Sequence, residues 1–289
     1  MTTSHLLTGL SAVSSDYRAV FCDIWGVIHN GKQHFPDAYE ALKRFKRDYG
    51  PVILISNSPR PRDSVQLQLS GLGIDNDGYS AIITSGDATR IYLQKLAPLG
   101  PALMIGDPRE NSLYDGLGLD LTATAENAAF ISCTSPYNDD TDKPEDYIEL
   151  LKPCAARGLT MVCANPDKVV QKGDRIIYCA GSIADVYESL GGKVIMAGKP
   201  YAPIYELCYQ ALAELGCDAQ SDEILAIGDG LPTDVLGANA QNLDLIFIAA
   251  GIHALEATNE RGILDPLRLQ AMLDHEGAKA KYVAPALSW

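Results

Sequence analysis

Residues 19–31, Ala19-Val20-Phe21-Cys22-Asp23-Ile24-Trp25-Gly26-Val27-Ile28-His29-Asn30-Gly31, decide how the rest of the chain is read. Ala19–Val27 has the form of a buried strand: its side chains are apolar with almost no alternation, the pattern of a strand covered on both faces. Asp23 interrupts that pattern and is followed by the turn glycine Gly26. A carboxylate there lies at the carboxyl end of a strand, where open α/β sheets bind their ligands. A turn or helix-cap role accounts for the same residue when it is taken alone.

Working outward, Pro36 opens a helix through Tyr49 with Ala38, Tyr39, Leu42 and Phe45 on one face. Val52–Ile55 is a second strand, Arg62–Leu72 a second helix ended by Gly73, and Ala81–Thr84 a third strand. Val194–Met196, Ile224–Ile227 and Leu245–Ile248 repeat the apolar signature and are joined by helical patterns. Apolar strands alternating with helices imply a parallel sheet with helices on both faces, a Rossmann-like α/β core. Between Thr89 and Ile177 lies a second βα series, with strands at Ala102–Ile105, Ala129–Ser132 and Leu159–Cys163 and a polar loop at Tyr137–Pro144. This predicts a core of residues 1–88 and 179–289 with an inserted α/β cap at 89–178.

Composition bounds the function. The 289 residues are 47% hydrophobic and 21% charged, which excludes a disordered or fibrous chain. The net charge is −14, from 23 Lys and Arg against 37 Asp and Glu, and this opposes binding to nucleic acid or to an anionic membrane. Seven scattered cysteines without a CxxC pair point to reduced thiols and a cytoplasmic protein. No apolar run approaches the roughly 20 residues that span a bilayer, and no export signal is visible.

Three further stretches follow strands. Gly228-Asp229-Gly230-Leu231-Pro232-Thr233-Asp234 offers two carboxylates at one strand end, oxygen ligands of the kind Mg²⁺ prefers; its plainer reading is a loop with a helix cap. Ser56-Asn57-Ser58 places hydroxyls and turn amides where an oxyanion can be gripped, or forms an ordinary turn. Gly198-Lys199-Pro200 supplies a point charge suited to phosphate, although a lone lysine usually carries no function.

Together, Asp23, Ser56, Lys199 and the Asp229/Asp234 pair follow separate strands in chain order. The combination resembles the haloacid-dehalogenase-like superfamily. Its wording is similar to the class IIA branch of p-nitrophenyl-phosphatase-like and pyridoxal-phosphate-phosphatase-like enzymes, as are Thr84-Ser85-Gly86 and Asn165-Pro166-Asp167. The resemblance covers essentially the whole chain. It implies Mg²⁺-dependent hydrolysis of a small, sugar-phosphate-like monoester through an aspartyl-phosphate on Asp23. Mg²⁺ would be held by Asp23, the backbone carbonyl of Trp25, Asp229 and Asp234; Ser56, with Asn57 and Ser58, would grip the phosphoryl oxygens, and Lys199 would neutralise charge. Asp167 becomes a substrate-site residue near the cap. Caps of this branch often mediate dimers, which makes a homodimer the implied assembly.

One position departs from the branch. Most of its phosphatases carry a second Asp two residues after the nucleophile, as general acid and base; here that residue is Trp25. An indole exchanges no proton near neutral pH, and losing such a group typically costs ~10²–10⁴-fold in rate. His29 or Asp167 could stand in, and His29 is also a candidate substrate-binding residue, although the plainer reading of His29, a turn residue satisfied by the backbone, outweighs both. The alternatives to a phosphatase are a phosphotransferase and a protein that binds a phosphorylated ligand without turnover. Ile105-Gly106-Asp107-Pro108 imitates the Gly228-Asp229 stretch and is expected only to end a strand and cap the next helix.

Overall fold

The computed structural model describes residues 4–172, 175–249, 257, 259 and 264–289. Among these, fourteen strands occur in chain order: β1 (His5–Leu6), β2 (Ala19–Asp23), β3 (Val52–Ser56), β4 (Ala81–Thr84), β5 (Ala102–Ile105), β6 (Leu121–Thr122), β7 (Phe130–Cys133), β8 (Thr160–Cys163), β9 (Val169–Lys172), β10 (Arg175–Tyr178), β11 (Lys193–Met196), β12 (Ile224–Gly228), β13 (Asp244–Ile248) and β14 (Tyr282–Ala284). The chain forms two compact units: Met1–Ser56 with Gln66–Ile83 and Tyr205–Trp289, and Asn57–Val65 with Thr84–Ile204.

The first unit carries a seven-stranded sheet in the order β1-β14-β13-β12-β2-β3-β4. The pairs β2–β3, β2–β12, β12–β13, β13–β14 and β1–β14 are parallel. Every residue of β2, β3 and β12 is buried, as continuous apolar strands under helices must be. The helix Pro36–Asp48 starts with proline at its first turn, where the missing N–H costs nothing, and buries Ala38, Ala41, Leu42 and Phe45 at three- and four-residue spacing. From β2 the chain proceeds to β3 on one side, while β12 occupies the other. That reversal makes a switch point, and the register Cys22↔Ile227 brings the ends of β2 and β12 level.

The second unit has a parallel five-stranded sheet, β11-β8-β7-β5-β6, and an antiparallel pair, β9–β10. Side chains alternate between its faces. Leu103, Ile105, Ile131, Cys133, Met161 and Cys163 pack with Leu151, Ile183, Ala184 and Tyr187 of the helices Ile148–Ala156 and Ala180–Ser189. Ala102, Phe130, Val162 and Ala164 pack on the other face with Leu93, Leu113 and Tyr114.

Two expectations change. The strand read as Ala19–Val27 ends at Asp23, because Gly26 has φ +85° and its N–H donates to the carbonyl of His29, closing a turn. The core limits of 1–88 and 179–289 also differ from the observed division: Asn57–Val65 and the chain from Thr84 belong to the second unit, as do Ala180–Ser189 and β11, which pairs with β8. An apolar parallel strand reads the same in either sheet, so its local sequence does not say which it joins. The decoy at Asp107 behaves as expected. It follows β5 and its carboxylate accepts from Arg109 N–H at 2.8 Å, capping a 3₁₀ turn. Among the described residues, no helix is long and apolar enough to cross a membrane.

Candidate active site

The residues singled out by sequence fall into two groups, one in each unit. In the first unit Asp23 is the last residue of β2, and Asp229 directly follows β12. Asp234 lies in the π-helical turn Leu231–Val235. The three carboxylates are buried, and one oxygen of each lies within 4.8 Å of the others. Asp234 is oriented by its own turn: its Oδ2 accepts from Gly230 N–H at 2.9 Å while its N–H donates to the Gly230 carbonyl at 2.8 Å. Like charges at such spacing in a buried place repel strongly, and a cation offsets that repulsion. Hard carboxylate oxygens in this number fit a divalent ion such as Mg²⁺, which takes one or two carboxylates together with other oxygens.

The backbone explains why the cluster forms. Gly26 stands in the left-handed region, and a Cβ there would lie 2.2 Å from Asp229 Oδ2. At Gly228 a Cβ would be 2.2 Å from Asp234 Cγ. Both glycines are needed for the carboxylates to approach the strand ends. Ser56 ends β3, one residue beyond Ile55, the register partner of Asp23.

Trp25 and His29 lie in the turn after β2. The half-buried indole meets the His29 ring edge-on, with centroids 5.2 Å apart. It also packs so closely over Gly31 that a Cβ there would be 2.3 Å from its Cη2. His29 is 2% exposed, and its Nδ1 accepts from Gly31 N–H at 2.9 Å, leaving the proton of the neutral ring on Nε2. Burial pushes its pKa down to about 4, so it is neutral at pH 7. These features match a turn residue satisfied by the backbone better than a proton donor or a substrate ligand.

The second group is Asn57, Ser58, Asp167 and Lys199. Asn57 Nδ2 donates to Asp167 Oδ1 at 2.8 Å and to the Lys199 carbonyl at 3.1 Å, and Lys199 N–H donates to Asn57 Oδ1 at 2.7 Å. Asp167 closes an Asx turn, its N–H donating to Asn165 Oδ1 at 3.0 Å. The Ser58 carbonyl accepts from Gly86 N–H at 3.0 Å. Lys199 is 2% exposed.

Sequence reasoning quoted Gly198 only as the neighbour of Lys199. It matters through crowding, since a Cβ there would fall 2.4 Å from Asn57 Oδ1, a contact distant in sequence that leaves no local signal.

Comparison with known proteins accords with this geometry. Residues 20–120 match the family model described as haloacid dehalogenase-like hydrolase, and 196–286 match the HAD-hydrolase-like model. A haloacid dehalogenase-like hydrolase from Brucella suis 1330 is 39% identical over 98% of this chain and 100% of that one, with a TM-score of 0.85. The D-glycerol 3-phosphate phosphatase of Mycobacterium tuberculosis is 24% identical, covering 97% of this chain and 77% of its own. The ribonucleotide monophosphatase NagD of Escherichia coli K12 is 25% identical, covering 82% and 89%. The chain therefore belongs to the haloacid dehalogenase-like family of hydrolases.

Proposed function

We propose that the protein is a Mg²⁺-dependent cytoplasmic phosphatase acting on a small, sugar-phosphate-like monoester, with Asp23 as nucleophile. The observation that carries the reading is the buried cluster of Asp23, Asp229 and Asp234 at the switch point of the first sheet, in a chain related to named phosphatases. The Asp23 carboxylate attacks phosphorus and the bond to the ester oxygen breaks, leaving an aspartyl-phosphate and an alkoxide. Water then attacks phosphorus, the Asp23 oxygen–phosphorus bond breaks and restores the carboxylate, and one proton of that water ends on the alkoxide as alcohol while the other leaves on inorganic phosphate. Asp23, Asp229, Asp234 and the Trp25 carbonyl would hold Mg²⁺, which would supply positive charge against the transferring group.

The chain's own groups do the rest by position and charge. Ser56 and turn amides take phosphoryl oxygens, Lys199 supplies a second positive charge, and Ser58 and Asp167 contribute to the substrate side. Trp25 donates no proton, so the first step favours leaving groups that depart readily as anions. The test is phosphate release from a panel of sugar, glycerol and pyridoxal phosphates with Mg²⁺, comparing wild type with Asp23→Asn. Activity lost in the variant and on chelation is the expected result. No release by the wild type from any ester, with phosphorylated ligands still bound, would overturn hydrolysis in favour of a binding protein.

A further inference from the structure

We propose that Asn57 is a positioning residue, whose side-chain amide clasps the backbone of Lys199 and the carboxylate of Asp167 and does not itself bind the phosphoryl group. The inference rests on the phosphatase reading only for the use made of Lys199. Its basis is a count of hydrogens. A side-chain amide has two N–H donors. Asn57 gives one to Asp167 Oδ1 at 2.8 Å and the other to the Lys199 carbonyl at 3.1 Å. A grip on a phosphoryl oxygen, the expectation from sequence, would need a third.

The orientation of the amide is set by its neighbours. Oδ1 receives the Lys199 N–H at 2.7 Å. Turning the amide over would set Nδ2 against that N–H and Oδ1 against both the Lys199 carbonyl and the Asp167 carboxylate. The bonds are also sheltered: Asn57 is 5% exposed and Lys199 2%. A buried backbone group left without its partner is costly, so the clasp is held on both sides of Lys199. Gly198 makes the approach possible, because a Cβ there would lie 2.4 Å from Asn57 Oδ1 and 2.8 Å from both Pro166 Cδ and Ser85 Oγ. The clasp joins residues 142 and 110 positions apart in sequence, tying the Lys199 segment and the Asn165–Asp167 turn to one amide.

The test uses Asn57→Ala, Asn57→Asp and the exchange Asn57→Asp/Asp167→Asn in the full chain. Asn57→Asp keeps an acceptor for Lys199 N–H, loses both donors and sets a carboxylate against Asp167. The exchange restores that bond with its polarity reversed. Hydrogen exchange at the Lys199 amide is expected to speed by about tenfold or more in Asn57→Ala, while protection of the β7 and β8 amides is unchanged and reports an intact sheet. A misplaced charged group typically costs ~10²-fold in rate. Asn57→Asp is expected to lose about that much in kcat/KM with p-nitrophenyl phosphate, and the exchange to recover at least about tenfold of it. An exchange variant no better than Asn57→Asp would overturn the proposal, since a carboxylate facing bound phosphate cannot be rescued from Asp167. Unchanged Lys199 exchange in Asn57→Ala would overturn it as well. If wild type hydrolyses no ester, the phosphatase reading fails, and the clasp is judged by Lys199 exchange and by the coupling of the two substitutions in thermal stability.

Discussion

Replacing Gly26 with alanine should weaken cation binding without touching any charged residue. Two effects act at this position. The first is conformational: φ is +85°, and a side chain in the left-handed region costs about 1–2 kcal/mol. The second is steric: the new Cβ would stand 2.2 Å from Asp229 Oδ2 and 2.7 Å from its Cγ, inside the 3.0 Å that real contacts respect. With ordinary contact near 3.5 Å, the carboxylate must retreat by roughly 1 Å. Displacing a metal-site group by its supporting residues commonly costs ~10–100-fold in affinity. Gly73 separates the two effects. It has φ +81°, and its Cβ would meet only His34 at an ordinary 3.7 Å. Both alanine variants should therefore lose about 1–2 kcal/mol in denaturant unfolding from the backbone alone. Calorimetric titration with Mg²⁺ or Mn²⁺ should show weakening only for Gly26→Ala. Equal cation affinities in the two variants would refute the argument that Gly26 holds open the space Asp229 occupies.

Two further outcomes are expected. Trp25→Asp should raise turnover of esters with poor leaving groups more than that of p-nitrophenyl phosphate. Trp25→Asn controls for the space vacated over Gly31 and beside His29, so the Asp/Asn ratio on alkyl phosphates reports proton transfer, up to ~10²–10⁴-fold; a ratio of one in kinetic assays would count against the missing-acid argument. The buried His29 should make the protein acid-sensitive. Its pKa falls from 6.5 to about 4 on folding, so the unfolded chain binds more protons in that window and stability drops as pH falls from 6.5 towards 4. The loss amounts to about 3 kcal/mol at 1.36 kcal/mol per unit. Urea unfolding of wild type and His29→Gln at pH 7 and pH 4 measures it, and identical pH dependence in the two would show that His29 is not responsible.

The fold class was legible in the sequence because hydrophobic burial leaves a local record. The runs at Val52–Ile55, Ile224–Ile227 and Leu245–Ile248 are apolar without alternation, and each lies in a strand of the parallel sheet. The helix from Pro36 shows its buried face at the expected spacing. The strands β1, β6 and β14 went unread, since two or three residues are too few for a period to show, and so did the pair β9–β10, where β10 is largely exposed and leaves no buried run.

What the sequence determined by itself is which residues are candidates for chemistry: Asp23, Ser56, Lys199, Asp229 and Asp234 stand at or after strand ends, where open α/β sheets bind ligands, although a capping carboxylate such as Asp107 reads the same there. What only the tertiary structure decided is how they are held. The meeting of Asp23 with Asp229 depends on β2 pairing with β12, two strands about two hundred residues apart in sequence, and on Gly26 leaving room beside Asp229. The assignment of β11 to the second sheet and the clasp of Asn57 on Lys199 are likewise long-range pairings. Backbone hydrogen bonds and side-chain amides choose partners by position in space, and a one-dimensional pattern of apolar and polar residues does not encode which distant segment supplies the partner.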